Sequence, residues 1–264
     1  MRTAFAVIAA AAALVGCRQD NEDIHRELIE IRKEIQALRA QPGRAASAPP
    51  AARPRPDPAQ VYAVATAGEP SIGPASAPVT IVMAYEYACP WCNRQRQPFS
   101  ELRAAYGDDV RIVYRPFVVH DDAAGDAALA ACAGERQGRF AEVDAALWSS
   151  VFDKRAYDRA SVERAAAGVA GIDLARLRAD MDGECKGMVE RDRKGLLDLG
   201  VAGTPHLWIN GRSMGGFRTL EQLKPVIDEE LARARERIAA GTPRDAYYAE
   251  WVMKKGLRGL QVAN

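Results

Sequence analysis

The sequence is short of several things, and each shortage removes a class of function. Net charge is almost absent, +1 over 264 residues, so there is no electrostatic case for nucleic acid as a partner. No apolar run reaches the roughly 20 residues of an ordinary membrane span; the longest, Thr3 to Val15, stops well short. Aromatics make up only 7% of the chain, which says little about chemistry. Cysteines number five. Cys89 and Cys92 form a Cys-x-x-Cys pair, but no second such pair, and no histidine pair at ligand spacing, exists to complete a zinc site. No metal or nucleotide cofactor is implied. At 48% hydrophobic residues, the chain can bury one good core with room for a subdomain.

The Cys-x-x-Cys pair stands at a junction. Val79 to Met83 is an apolar run that alternates poorly and reads as a buried strand, continued to Tyr85. After Cys92, the residues Phe99, Leu102 and Tyr106 recur at helical spacing, and Pro90 suits the first helical position. Pro98 should kink this helix, and Gly107 stops it. Cys89 therefore faces unpaired N–H groups and the positive end of a helix dipole. Both favour the thiolate, the form that attacks disulfides. Cys92, one turn on, can close a ring with Cys89 or resolve a mixed disulfide.

The first residues read as an export signal: Arg2 supplies positive charge and Thr3–Val15 the apolar part. Leu14-Val15-Gly16-Cys17 resembles the lipobox of bacterial lipoproteins, in which the cysteine carries lipid and becomes the mature N-terminus. The alternative is an ordinary cleaved signal with an incidental cysteine. Either destination is a compartment where disulfides persist. With Cys17 lipidated and Cys89–Cys92 reactive, Cys132 and Cys185 are left to pair with each other, the alternative being two buried free thiols.

Ile24, Leu28, Ile31, Ile35 and Leu38 recur at intervals of four, three, four and three, a heptad seam in an otherwise charged stretch. A homo-oligomer through residues 24–38 is the favoured reading, and an amphipathic helix on a membrane surface the competing one. Residues 41–60 are rich in Pro, Ala and Arg and read as a semi-rigid spacer. The expected divisions are a signal at 1–16, a lipidated helical segment at 17–40, the spacer at 41–60 and a folded domain at 61–264.

Within that domain, Ser71–Pro78 reads as a lead-in loop. Val79–Tyr85 and Val110–Val118 read as parallel strands of a right-handed βαβ unit. From Asp121 to Leu199 no strand is expected. Helical segments at Ala123–Gln137, Phe140–Val151, Arg159–Ala170, Leu174–Met181 and Cys185–Leu199 form an insertion, about 121–200, able to make a small bundle. His206–Ile209 is a third strand, and Asn210-Gly211 signals a hairpin to a short fourth. A long helix runs to Ala239, and an aromatic tail with Tyr247, Tyr248, Trp251 and Val252 should dock on the core.

This order, with Ala77-Pro78-Val79-Thr80-Ile81-Val82 leading into Cys89-Pro90-Trp91-Cys92 and Gly203-Thr204-Pro205 before the third strand, resembles the DsbA-like branch of the thioredoxin superfamily over about Val61–Ala239. The resemblance implies an α/β thioredoxin fold with an inserted helical subdomain, and thiol–disulfide exchange with protein substrates, in the oxidase or isomerase direction. It implies that Pro205 is cis and packs against the reactive pair, and that Thr204 offers backbone to a substrate strand. Its expected partners are protein thiols or disulfides and a membrane redox protein, in the cell envelope or periplasm. The heptad helix and spacer resemble, in architecture only, oligomeric disulfide isomerases that carry catalytic domains on a stalk. Pro90-Trp91 stands where related oxidases often have histidine, Met83 where many relatives bury an acid, and Glu86 and His206 are further neighbours of the pair. From another class, a Cu(I)-handling lipoprotein would use Cys89 and Cys92 with His206 or His120.

Overall fold

The computed structural model describes residues 22–37 and 54–260, which fall into two units divided near residue 52. The first is a single helix, α1, at 22–37. Its seam residues Ile24, Leu28, Ile31 and Ile35 are each 44–57% exposed. Leu38, Cys17, the signal-like stretch and most of the spacer lie outside the described residues. No helix among the described residues is long and apolar enough to cross a membrane.

The second unit is built on a five-stranded sheet of order β1-β3-β2-β4-β5. Its strands are β1 (Ser71–Ile72), β2 (Val79–Tyr85), β3 (Val110–Pro116), β4 (His206–Ile209) and β5 (Arg212–Gly215). Between β2 and β3 runs α2 (Pro90–Tyr106), and the sheet is followed by α8 (Leu220–Ala239). β2 is parallel to β3, with Val79 opposite Val110, and antiparallel to β4, with Met83 opposite Leu207.

Every residue of β2 is buried, and the two faces bury different partners. Ile81, Met83 and Tyr85 join Phe99, Leu102 and Ile227 in one core. Val82 and Ala84 join Val113, Leu196 and Trp208 in another. A strand covered on both sides needs apolar residues at successive positions, which is why its alternation is poor. β4 returns into β5 through Asn210 and Gly211, whose φ values of 45° and 84° are those of a two-residue primed turn.

Two parts of the lead-in differ from the reading of the sequence. Ser71–Ile72 pairs antiparallel with β3, at the sheet edge. Gly73 makes this possible: its φ is +107°, and a Cβ there would stand 2.6 Å from the Val110 carbonyl oxygen. Residues 54–60, expected in the spacer, lie with the domain. Pro56 is buried, and the Asp57 N–H donates to the Tyr62 hydroxyl at 2.8 Å.

The insertion comprises α3 (Asp121–Glu135), α4 (Phe140–Leu147), α5 (Arg159–Ala167), α6 (Leu174–Asp182) and α7 (Glu184–Asp198). Alanines Ala127, Ala130, Ala131 and Ala133 let α3 pack closely on its neighbours. A disulfide joins Cys132 of α3 to Cys185 of α7, with a Cα separation of 5.8 Å, and both residues are buried. Phe140–Val151 is not one regular helix. It opens after Leu147 into a wider π-helical turn, Trp148–Phe152, which buries both Trp148 and Val151. In the tail, Tyr247 and Val252 are buried and the Tyr248 hydroxyl donates to the Val64 carbonyl at 2.8 Å.

Candidate active site

Because β4 lies beside β2, the loop that precedes β4 meets the turn that follows β2. Cys89 sits in that turn as the N-cap residue of α2, with Pro90 at the first helical position. Its carbonyl accepts from the N–H groups of Cys92 (3.1 Å) and Asn93 (3.2 Å). Its thiol donates to the Thr204 carbonyl at 3.4 Å, and the Thr204–Pro205 peptide bond is cis. Gln95, one turn along α2, is buried and clamps the other side. Its amide donates to the Arg218 carbonyl at 3.0 Å and accepts from the Arg218 N–H at 2.9 Å. Two stretches more than a hundred residues apart in sequence are thus held by directional bonds.

The two sulfurs differ sharply. Cys89 is 6% exposed and Cys92 fully buried, so the first thiol reaches solvent through only a narrow opening. A hydrogen bond from the Cys92 thiol, helped by the Thr204 side chain and the N–H groups of Cys92 and Trp91, outweighs burial and lowers Cys89 to about 6. Burial, and then the neighbouring Cys89, push the Cys92 thiol far above its ordinary value. One sulfur is a ready thiolate; the other holds its proton until the first is consumed.

The remaining neighbours play different parts. Trp91 is 51% exposed, stacks on Phe217 at 5.9 Å, and with it carries the Arg94 guanidinium. Glu86 is buried and its carboxylate is turned to the β3–α3 connection. It accepts from the N–H groups of Val119 (2.8 Å) and His120 (3.0 Å) and lies 2.7 Å from His120 Nδ1. What it gives the pair is backbone: its carbonyl accepts from the Cys89 N–H at 3.4 Å. His206 is buried, bonded to Ser213 Oγ at 2.8 Å, and lies on Trp208. Burial first, then Arg218, lower it to about 4, so it is neutral.

Cys132 and Cys185 are not part of this site; they lie in the insertion. Among the described residues no cluster of three or more His, Cys, Asp or Glu side chains could hold a metal. Both histidines considered as ligands are engaged, His206 with Ser213 and His120 with Glu86. On the far side of Thr204 and Pro205 opens a groove of about 700 Å³, whose other wall is Arg55, Pro56 and Pro58.

Gln95 and a buried polar chain were not visible in the sequence. Tyr87 donates to Asp144 Oδ1 at 2.8 Å, Trp148 Nε1 donates to the same oxygen at 3.0 Å, and Tyr85 donates to the Tyr87 hydroxyl at 3.3 Å. Burial raises Asp144 to about 6. An aspartate in an Ala-rich helix reads as part of a solvated face, and no spacing signal links α4 to the turn after β2.

A family model described as thioredoxin matches residues 65–229. The chain belongs to the thioredoxin family. The sheet, the insertion between β3 and β4, and the contact of Cys89 with Thr204 beside the cis Thr204–Pro205 bond give this thioredoxin-family chain the DsbA-like form. It resembles a solved thioredoxin-like oxidoreductase from Silicibacter pomeroyi DSS-3 at 28% identity, over 64% of this chain and 94% of that one, with a TM-score of 0.54. BdbD from Bacillus subtilis shares the fold at 21% identity, over 66% and 98% of the two chains, with a TM-score of 0.59. A curated relative, the Na(+)/H(+) antiporter NhaA 3 of Salinispora tropica, is 32% identical over 177 residues, which are 66% of this chain and 26% of the antiporter. The chain thus spans about a quarter of the length of that relative.

Proposed function

We propose that the protein is an exported, membrane-anchored thiol:disulfide oxidoreductase that exchanges disulfides with protein substrates through Cys89 and Cys92. The observation that carries this is the asymmetry of the pair: Cys89 lowered to about 6 at a helix N-terminus, Cys92 buried and held protonated.

In the reducing direction, the Cys89 thiolate attacks one sulfur of a substrate disulfide. The substrate S–S bond breaks, its electron pair leaves on the second sulfur, and that sulfur takes a proton. Consuming the Cys89 thiolate removes the negative charge that, together with burial, held the Cys92 proton. Cys92 ionises, attacks Cys89, closes the Cys89–Cys92 disulfide and expels the first substrate sulfur as a thiolate. The substrate gains two electrons and the pair loses two. Oxidation runs the same steps backwards, starting from a substrate thiolate and the Cys89–Cys92 disulfide. Isomerisation stops at the mixed disulfide and lets another substrate thiol displace Cys89. Thr204, with its carbonyl against Cys89, is the backbone to which a substrate strand pairs.

The envelope location rests on the signal-like start and Cys17 as lipid acceptor, and the assignment of 41–60 as spacer on composition. The exposed seam of α1 favours an oligomer, and with it isomerase or reductase work over simple oxidation. Metal handling has the weaker support, since His206 and His120 are committed elsewhere. The test is a pair of refolding assays, one on a scrambled-disulfide protein and one on a reduced protein, together with the Cys89–Cys92 reduction potential. Activity in the first assay that disappears in Cys89→Ala supports an isomerase. Activity in neither assay sinks the exchange reading.

A further inference from the structure

The groove beside Thr204 and Pro205 has a charge of one sign. Arg55 and Arg218 are its only charged lining residues, and His206 in its wall is bonded to Ser213. Among the described residues neither arginine is in an ion pair, whereas Arg212, on the adjoining β5, pairs with Glu229 and Glu230. The nearest carboxylate in sequence, Asp57, is turned into its own loop, where it accepts from the Ala59 N–H at 2.9 Å. Arg218 is aimed by a bond to the Phe217 carbonyl at 2.9 Å. Arg94, laid on Trp91 and on Phe217 next to Arg218, is a third cation that among the described residues is in no ion pair.

The floor of the groove offers backbone as well as charge. Ala202 and Gly203 are exposed, and among the described residues the N–H groups of 202–204 donate to no protein acceptor. A Cβ built on Gly203 meets nothing within 4 Å, so the loop is open on the side a second chain must approach. An extended segment paired here would pass between Arg55 and Arg218 and reach Cys89 across Thr204, whose carbonyl the Cys89 thiol touches.

We propose that this groove binds the substrate as an extended segment carrying an acidic side chain, so that the preferred substrates have Asp or Glu beside the cysteine being exchanged. The proposal rests on the thiol-exchange reading and names the substrate class of that same site. Attraction between charged groups at a partly solvated face raises association rates and weakens with salt.

The test uses the reduced full-length protein and three peptides differing only in the residues flanking one cysteine: Asp and Glu, Asn and Gln, or Lys. Each cysteine is presented as a mixed disulfide with 2-thiopyridine, whose release is followed optically. Every rate is divided by that of the same peptide with dithiothreitol, which cancels intrinsic reactivity. The acidic peptide should exceed the neutral one about 3- to 10-fold at low salt, and the excess should shrink in 0.5 M salt, on the order of three-fold shorter screening. In the Arg55→Gln/Arg218→Gln variant the acidic-to-neutral ratio should fall to near one. Arg55→Gln alone, at an exposed position, should give an intermediate ratio and serves if the double variant does not fold. A ratio near one in the unaltered protein, a preference for the Lys peptide, or an excess that survives both substitutions overturns the proposal. No release from any peptide, the neutral one included, overturns the exchange reading and this proposal with it; release without acidic preference overturns the proposal alone.

Discussion

At the scale of single residues, the chemistry turns on a difference between two thiols three positions apart. A thiol with an ordinary value near 9, lowered to about 6, is largely ionised at neutral pH. The rate at which reduced protein attacks a small disulfide should therefore rise through pH 6 and be level by about pH 7.5; a half-maximal rate near pH 8.5 would refute the assignment. In Cys92→Ala the mixed disulfide on Cys89 has no internal resolver and should accumulate on gels run without reductant, while Cys89→Ala should trap none. Cys92→Ala also loses the largest contribution lowering Cys89, so its pH–rate curve should move upward. Cys89, Cys92, Thr204 and Pro205 were legible because each stands in a short motif whose residue types have few other uses. Gln95 was not, since a glutamine inside a helix carries no sign of the backbone it will clamp. Asp144 was hidden for the same reason: its partners Tyr87 and Trp148 are set by packing between elements.

Among the elements, the ones read most closely were those with a single dominant pattern. β2 and β4 have the bounds expected from their apolar runs, because strands buried on both faces leave no polar position to blur the edges. β1 was invisible, as two residues have no periodicity and this strand exists only through its pairing with β3. Two links between elements yield predictions. Cys132 and Cys185 are 53 positions apart, and closing such a loop stabilises by about 4 kcal/mol in the chain-entropy model. Replacing both by alanine should lower the urea midpoint by a corresponding amount while leaving Cys89 reactive; an unchanged midpoint would contradict this. The second link joins the turn before β1, β3 and α7. Arg115 serves two buried carboxylates, Asp192 through its Nε at 2.8 Å and Glu69 at 3.9 Å. Burial first, then Asp192, raise Glu69 from 4.5 to about 8. The fold thus keeps a proton that the unfolded chain gives up, and stability fully present below pH 4.5 is lost as pH rises through 8. In the oxidised protein, where Cys89 is held in its disulfide with Cys92 and its lowered thiol does not oppose the effect, stability should fall between pH 6.5 and 8, by up to about 1.4 kcal/mol per pH unit for one retained proton. Glu69→Gln should flatten that fall. His206, lowered to about 4, acts with the opposite sign but only below pH 6.5, outside this window. Equal slopes for variant and parent would remove the role of Glu69.

For the whole molecule, the open question is how many copies act together. The seam of α1 presents Ile24, Leu28, Ile31 and Ile35 to solvent, and a helix of this length is marginal alone. A chain beginning at residue 20 should scatter light as an oligomer at high concentration, whereas one beginning at residue 54 should be a monomer. Equal monomeric masses would remove the case for a stalked isomerase. If copies do gather, each reactive pair works among neighbours that carry a disulfide of their own. An enzyme that breaks such bonds is then its own most abundant unwanted substrate. Both sulfur-bearing residues of the Cys132–Cys185 bridge are buried, at 3% and 0% exposure, while a thiolate must approach a disulfide in line with its sulfurs. Depth therefore acts as immunity: the staple that holds the insertion is beyond the reach of a neighbour's Cys89, and crowding the copies sharpens their action on clients without turning it on themselves.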